Sequence, residues 1–423
     1  MIGLNNTSIT RQLSSLYGTN PKMLEQQKER YSALLKRHQQ NAPEGPVYLI
    51  SAPGRTEISG NHTDHNHGKV MAAAVNLDTL AAVTPRQDAT VTIRSEGYAP
   101  LTLSLEQLSP VPEEEGTTAA LVRGVAARMK ELGYNVGGFD ASVTSTVRSG
   151  SGLSSSAAFE VLLCHIFDSL YGKGDMPFKL RAQISQYAEN VYFCKPCGLM
   201  DQMASSAGGL VYIDFENPDP EVRALSYDFA AKGFSLVVVN TGGSHDDLTA
   251  DYAAIPQEMK AVAKVFGKDY LRDICPEEFF AAIPTLRAKL TVANPERAIL
   301  RAVHFYNENR RVEKQFAALV EDDLQAFLQL VIESGRSSYC YLQNTFASPA
   351  HQELCLALML SEQLLAGKGA WRVHGGGFAG TTLNFVPTAM LDEFIQKMEA
   401  VFGKDSCNVL NVRPVGPATL EAE

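Results

Sequence analysis

Residues 149–158 read Ser149-Gly150-Ser151-Gly152-Leu153-Ser154-Ser155-Ser156-Ala157-Ala158, and their flanks decide the fold. Before them Phe139, Ala141, Val143 and Val147 alternate with small polar residues, the period of a strand; after them Phe159 to Leu170 are apolar at helical spacing. A Gly/Ser-rich run between a strand and a helix lets backbone amides approach a ligand closely. The helix start offers unpaired N–H groups and a positive dipole end to an anion. On these residues alone a phosphate site and a plain helix-capping turn stand level, and a serine nucleophile of amidase type is a third reading. GxxxxGK[ST], HRD and DFG are absent, which excludes a P-loop protein and a protein kinase.

Outward from this run, the patterning predicts a helix over Pro21–Gln40, a short strand over Val47–Ala52 and a helix over Lys179–Phe193. Strands are predicted over 208–214 and 234–239, mostly helix over 284–334, and a further helix over 390–402. Strands and helices alternate without the βα rhythm of a barrel, which favours an α+β assembly. With 423 residues, against about 100–200 for a common domain, two domains are expected, divided near Asn217–Arg223, where Pro218 and Pro220 interrupt the pattern. The formal charge of −10 argues against nucleic acid or an anionic membrane as partner, since both need a basic footprint. Seven scattered cysteines do not form the framework of a small secreted domain. The first residues lack a basic flank followed by an apolar run, so a soluble, cytoplasmic protein is expected.

Two further constellations carry chemistry. Ala52 to Gly68 packs Arg55, Glu57, Asn61, Asp64 and three histidines into what reads as a loop between strands. A metal on His62, His65 and His67 is the weaker reading; dense short polar side chains suit a polyhydroxylated ligand, whose hydroxyls each want a donor and an acceptor. Cys194-Lys-Pro-Cys-Gly-Leu-Met-Asp-Gln202 has CxxC spacing but no second ligand pair for zinc. Its Asp201, expected in a turn, is placed to accept a proton from a hydroxyl nucleophile.

Taken together and in this order, with the glycine-rich segment Arg372 to Gly380, these motifs resemble the galactokinase branch of the GHMP small-molecule kinases. The resemblance implies a two-domain α+β GHMP kinase fold. Residues 1–220 would form an N-terminal domain with the phosphate loop, residues 221–423 a ferredoxin-like C-terminal domain, and the active site would lie in the cleft between them. It implies transfer of the γ-phosphate of ATP, with Mg²⁺, to the C1 hydroxyl of galactose. Asp201 would be the catalytic aspartate and Arg55 its arginine partner. Gly150, Ser151, Gly152, Leu153, Ser154, Ser155 and Ser156 would hold the nucleotide phosphates, Ser156 and Glu189 the metal. Asn61, His62, Asp64, Gly198 and Tyr252 would contact the sugar, and Gly376 and Gly377 would let the C-terminal turn close. Two departures bear on this: Asn61 stands where the family has glutamate, opening a C6-modified sugar such as galacturonate, and Arg148 stands where the family has proline. A sugar-sensing regulator on the same fold is the alternative from another class. A monomer is expected.

Overall fold

The computed structural model describes residues 7–42, 44–147, 152–195, 197–243, 248–346, 348–378 and 380–420. Arg148, Gly150 and Ser151 lie outside the described residues. Two helices come first, Thr7–Tyr17 (α1) and Pro21–Asn41 (α2). Asn20 caps α2 by accepting from the Lys22 and Met23 N–H groups, with Pro21 in the first turn.

The larger sheet has eight strands: β1 (Tyr48–Ser59), β2 (Lys69–Pro85), β3 (Thr90–Ser95), β4 (Leu101–Ser104), β5 (Phe139–Ser145), β6 (Leu210–Asp214), β7 (Glu221–Leu225) and, from the chain's end, β12 (Ala418–Leu420). Its order is β12-β1-β2-β5-β3-β4, and β6 pairs with the first half of β2 and carries β7. The β3–β5 pair is parallel and the other pairs are antiparallel. Helices Thr118–Glu131 (α3) and Ser155–Tyr171 (α4) cover one face of this sheet through Ile50, Ala81, Val125 and Phe167. α1 and α2 cover the other through Leu13, Tyr31, Leu49 and Leu80. Helices Phe178–Tyr187 (α5) and Met200–Ala207 (α6) complete this half.

The second sheet is antiparallel, in the order β11 (Cys407–Leu410), β8 (Phe234–Asn240), β10 (Thr381–Pro387), β9 (Ala370–His374). Its inner face shares one core with the first sheet, where Ile58, Met71 and Tyr212 meet Leu236, Leu383 and Phe385. The remaining helices are Thr249–Val265 (α7), Pro276–Ala281 (α8), Ile283–Lys289 (α9), Pro295–Val320 (α10), Leu324–Ser337 (α11), Glu353–Leu365 (α12) and Leu391–Phe402 (α13). α12 and α13 close the outer face through Leu365, Phe394 and Met398.

The main departure from the sequence reading is at Ala52–Ser59, which continues β1 instead of forming a loop. The strand is buried on both faces, so its residues do not alternate and the period-two signal is lost. Register shifts at Pro53/Arg55 and Glu57/Ser59 bend it, and bulges of this kind re-aim side chains. The strand is anchored by fully buried Asp78, which accepts from Tyr17 Oη, Ser51 Oγ and Arg30 Nη1, with Arg413 Nη1 at 3.5 Å. Burial alone would push its carboxyl up, but Arg30 and Arg413 hold it below the ordinary range. One carboxylate thereby ties both N-terminal helices, β1 and the C-terminal tail to β2.

Candidate active site

Arg55 follows the first register shift of β1, and Asp201 sits in the first turn of α6, not in an irregular turn. The guanidinium grips the carboxylate with two bonds, Nε to Oδ1 and Nη2 to Oδ2, each 2.7 Å, the planar fork geometry that makes such pairs strong. Arg55 Nη1 also donates to the Gly152 carbonyl, and its backbone N–H donates to Leu153 O at 3.1 Å. Ser154 Oγ donates to Asp201 Oδ2 at 2.7 Å. The Gly/Ser run, β1 and α6 are therefore fastened at one point. Burial pushes the Asp201 carboxyl up, but the Arg55 charge and the Arg55 and Ser154 hydrogen bonds outweigh it and hold the group below its ordinary value. The result is an ionised acceptor that is still 30% exposed, against 10% for Arg55. Gly152 must be glycine on two counts: its φ is +74°, and a Cβ would stand 2.7 Å from Thr381 Oγ1.

A second cluster surrounds Glu189, which lies in a wide π-type turn, Ala188–Tyr192, continuing α5; such turns recur at functional sites. Glu189 Oε1 accepts from Ser156 Oγ at 3.2 Å and lies 3.6 Å from Lys195 Nζ. Its Oε2 accepts from Gln202 Nε2 at 2.8 Å, and the same amide donates to Glu160 Oε2 at 3.1 Å. Burial, then the neighbouring Glu189 charge, raises the Glu160 carboxyl well above its ordinary value. Glu160 Oε1 and Gln202 Oε1 are buried without a hydrogen-bond partner. A Glu189 carboxylate, a half-buried Ser156 hydroxyl on one of its oxygens and an ammonium resting on the same oxygen are what a hard divalent cation fits. No group of three or more His, Cys, Asp or Glu able to hold a metal occurs among the described residues, so such an ion would be held by Ser156 and Glu189, its shell completed by water or by its ligand's own oxygens. The histidine metal reading finds no support: His67 stacks on Tyr270 at 3.7 Å between centroids.

Both clusters open into one cavity of about 790 Å³, lined by Arg55, Gly152, Ser154, Ser155, Ser156, Glu189, Lys195 and Asp201. The lining also includes the apolar side chains of Ile93, Leu101, Leu121, Phe159 and Phe193. The turn Gly375–Gly377 and His374 line the same cavity.

Asn61, His62, Asp64, Gly198 and Tyr252 are not among the lining residues. Instead three of them bond successive carbonyls of that turn. Asn61 Nδ2 donates to Gly375 O, His62 Nε2 to Gly376 O at 2.9 Å, and Tyr252 Oη to Gly377 O at 2.7 Å. Asn61 also donates to Glu57 Oε1 at 3.0 Å and accepts from Asn344 Nδ2 at 2.6 Å, so both its amide hydrogens are spent. Burial, followed by the nearby His65, lowers His62 to about 4, leaving a neutral ring. Asp64 faces Gly198, where a Cβ would meet its Oδ2 at 2.5 Å.

Sequence reasoning missed His374, Arg372, Asn344, Glu160 and Lys195. His374 Nε2 accepts from the Glu57 N–H at 3.3 Å and contacts Thr56 Oγ1 at 3.0 Å; its Nδ1 contacts Thr381 Oγ1 at 3.0 Å. Burial, with Arg55 and Arg372, lowers it to about 3. Its position inside the glycine-rich segment was the available signal. Nothing in the sequence points to Asn344.

A family model of the galactokinase galactose-binding signature matches residues 36–85, and one of the GHMP kinases N terminal domain matches residues 120–209. A galactokinase from Streptomyces coelicolor is 33% identical over 366 residues, covering 85% of this chain and 89% of that one. A galactokinase from Glaesserella parasuis is 32% identical, covering 81% and 86%. Among solved structures, Lactococcus lactis galactokinase complexed with galactose aligns with TM-score 0.78 at 23% identity, covering 92% of this chain and 99% of that chain. Methanococcus jannaschii mevalonate kinase aligns at 0.63 and 14% identity, covering 88% and 99%. The fold is the GHMP kinase fold.

Proposed function

The chain belongs to the galactokinase family of the GHMP kinases, and from that premise we propose that it transfers the γ-phosphoryl group of ATP to the C1 hydroxyl of galactose, giving galactose 1-phosphate and ADP. The observation that carries the reading is the Arg55–Asp201–Ser154 constellation at the head of a cavity beside the Gly/Ser run. Phosphoryl transfer asks little covalent work of the protein, so positioning and charge neutralisation dominate. Asp201, held ionised, orients the C1 hydroxyl and takes its proton as the oxygen attacks. Arg55 keeps that carboxylate charged and offsets repulsion between it and the incoming phosphoryl group. The run Gly150–Ser155 cradles the phosphates, and the apolar side chains lining the cavity, Phe159 and Phe193 among them, receive the nucleobase. Ser156 and Glu189 would hold Mg²⁺, which when bound neutralises phosphate charge.

On the sugar side, Asn61, His62, Asp64, Gly198 and Tyr252 recognise the hydroxyls. Their present bonds to the Gly375–Gly377 turn support a site that opens by exchanging those bonds for sugar contacts. Residues 1–220 and 221–423 act as the two walls of the cleft, the first sheet also taking β7 and β12 from beyond residue 220. The seven cysteines are unbridged, which supports a reducing, cytoplasmic setting, and no helix among the described residues is long and apolar enough to cross a membrane.

Coupled ADP release, with ³¹P detection of the product, across galactose, galacturonate, N-acetylgalactosamine and arabinose tests the proposal. Galactose is expected to turn over fastest and to give a sugar 1-phosphate. No ADP release with any of the four sugars would remove the kinase reading and leave the sugar-sensing one.

A further inference from the structure

We propose that Lys195 is a nucleotide-phosphate ligand of this site and that, before the nucleotide arrives, it occupies Glu189 as a stand-in cation. The inference rests on the kinase reading above. Among the described residues lining the cavity, the Lys and Arg side chains are Arg55 and Lys195. Arg55 is already committed to Asp201 and the Gly152 carbonyl, so its charge is largely spent inside the protein. The same cavity presents the carboxylates of Glu96, Glu189 and Asp201. A polyphosphate entering it meets like charge and needs a cation able to move toward it.

Lys195 has the required freedom and the required tether. Its side chain is 64% exposed, and its ammonium stands 3.6 Å from the Glu189 oxygen that also takes the Ser156 hydroxyl. Its backbone N–H donates to Glu189 O at 3.1 Å, so the stem stays fixed to the turn that carries Glu189 while the ammonium swings. A long, exposed ion pair of this kind is weak and easily exchanged. A divalent cation on Glu189 outcompetes a single ammonium by charge alone and repels it. A phosphate oxygen of the entering nucleotide then offers the released ammonium a compensating charge. A lysine is suited to this as a compact charge on a flexible stem, where an arginine fork would favour the carboxylate.

The two halves of the inference predict opposite signs for one substitution. In Lys195→Met, Mn²⁺ affinity of the nucleotide-free full chain, read by the free-ion EPR signal, should tighten about three-fold, because a competing cation is gone. MgADP affinity of the same protein, read by calorimetry, should weaken about ten-fold. Lys195→Arg, whose fork favours the carboxylate, should restore the MgADP affinity only in part. A merely structural role would weaken both ligands together, and that result, or MgADP affinity unchanged in Lys195→Met, or Mn²⁺ affinity unchanged, overturns the inference. Parent protein that binds no MgADP would instead defeat the kinase reading on which it stands.

Discussion

Two arginine–carboxylate pairs flank the same strand, and they leave different things free. Arg55 and Asp201 face the cavity: the pair is bidentate, Ser154 adds a third bond, and the carboxyl is held below its ordinary value. Arg372 and Glu57 are sealed, 0% and 6% exposed, with one bond at 2.9 Å. Burial raises the Glu57 carboxyl even though Arg372, Asn61 and Arg55 pull it down. The first pair is chemistry built in advance, with a charged acceptor left open to a ligand. The second is a fastening, and its network runs through Asn61 and Asn344 into the Gly375–Gly377 turn, where the residues assigned to the sugar hydrogen-bond the protein itself. On the proposed reading the catalytic side is ready-made and the recognition side is self-satisfied until something replaces its bonds.

The largest way to break that contrast is at Asp201. Asp201→Ala should lower turnover about 10³-fold while nucleotide affinity changes little; a variant retaining a tenth of parental ADP release would remove Asp201 from the mechanism. Asn61→Glu tests the fastening. It sets a second carboxylate beside Glu57 and deletes the donor to Gly375 O, and should cost about 1–3 kcal/mol of stability and raise the galactose KM about ten-fold. Unchanged thermal stability together with better galactose selectivity would show instead that residue 61 faces C6 directly.

His62 gives the smallest effect. Its unfolded value of 6.5 falls to about 4 in the folded protein, so below pH 6.5 the unfolded chain takes up a proton that the folded one does not. Stability from this group is therefore whole above pH 6.5 and lost as pH falls toward 4. His62→Gln should make the slope of urea stability against pH between 6.5 and 5 shallower by about 1 kcal/mol per unit. Identical slopes would mean that the ring titrates freely.

Chemistry was more legible than architecture because it is local. Glycines and serines between a strand and a helix, and an aspartate and glutamine after Cys197, carry their meaning in a few adjacent residues, and Arg55, Ser154, Ser156, Glu189 and Asp201 meet at one cavity. The second half of β1 was hidden because a strand buried on both faces does not alternate. The return of β12 to β1 was hidden because three residues separated from their partners by most of the chain leave no pattern. Asn344 and Glu160 gain their roles only through contacts made across the fold, with Asn61 and Gly376 for the one and Gln202 for the other.

The contrast comes down to whether Arg55 is what keeps Asp201 a charged acceptor, and the pH dependence of kcat in parent and Arg55→Ala reads that directly. The parent should show no acid limb from Asp201 between pH 5 and 8. In Arg55→Ala the burial that Arg55 had outweighed should carry the carboxyl up and bring an acid limb into that range, on top of a lower plateau. A variant profile that is merely lower, with the same shape as the parent's, would contradict the account.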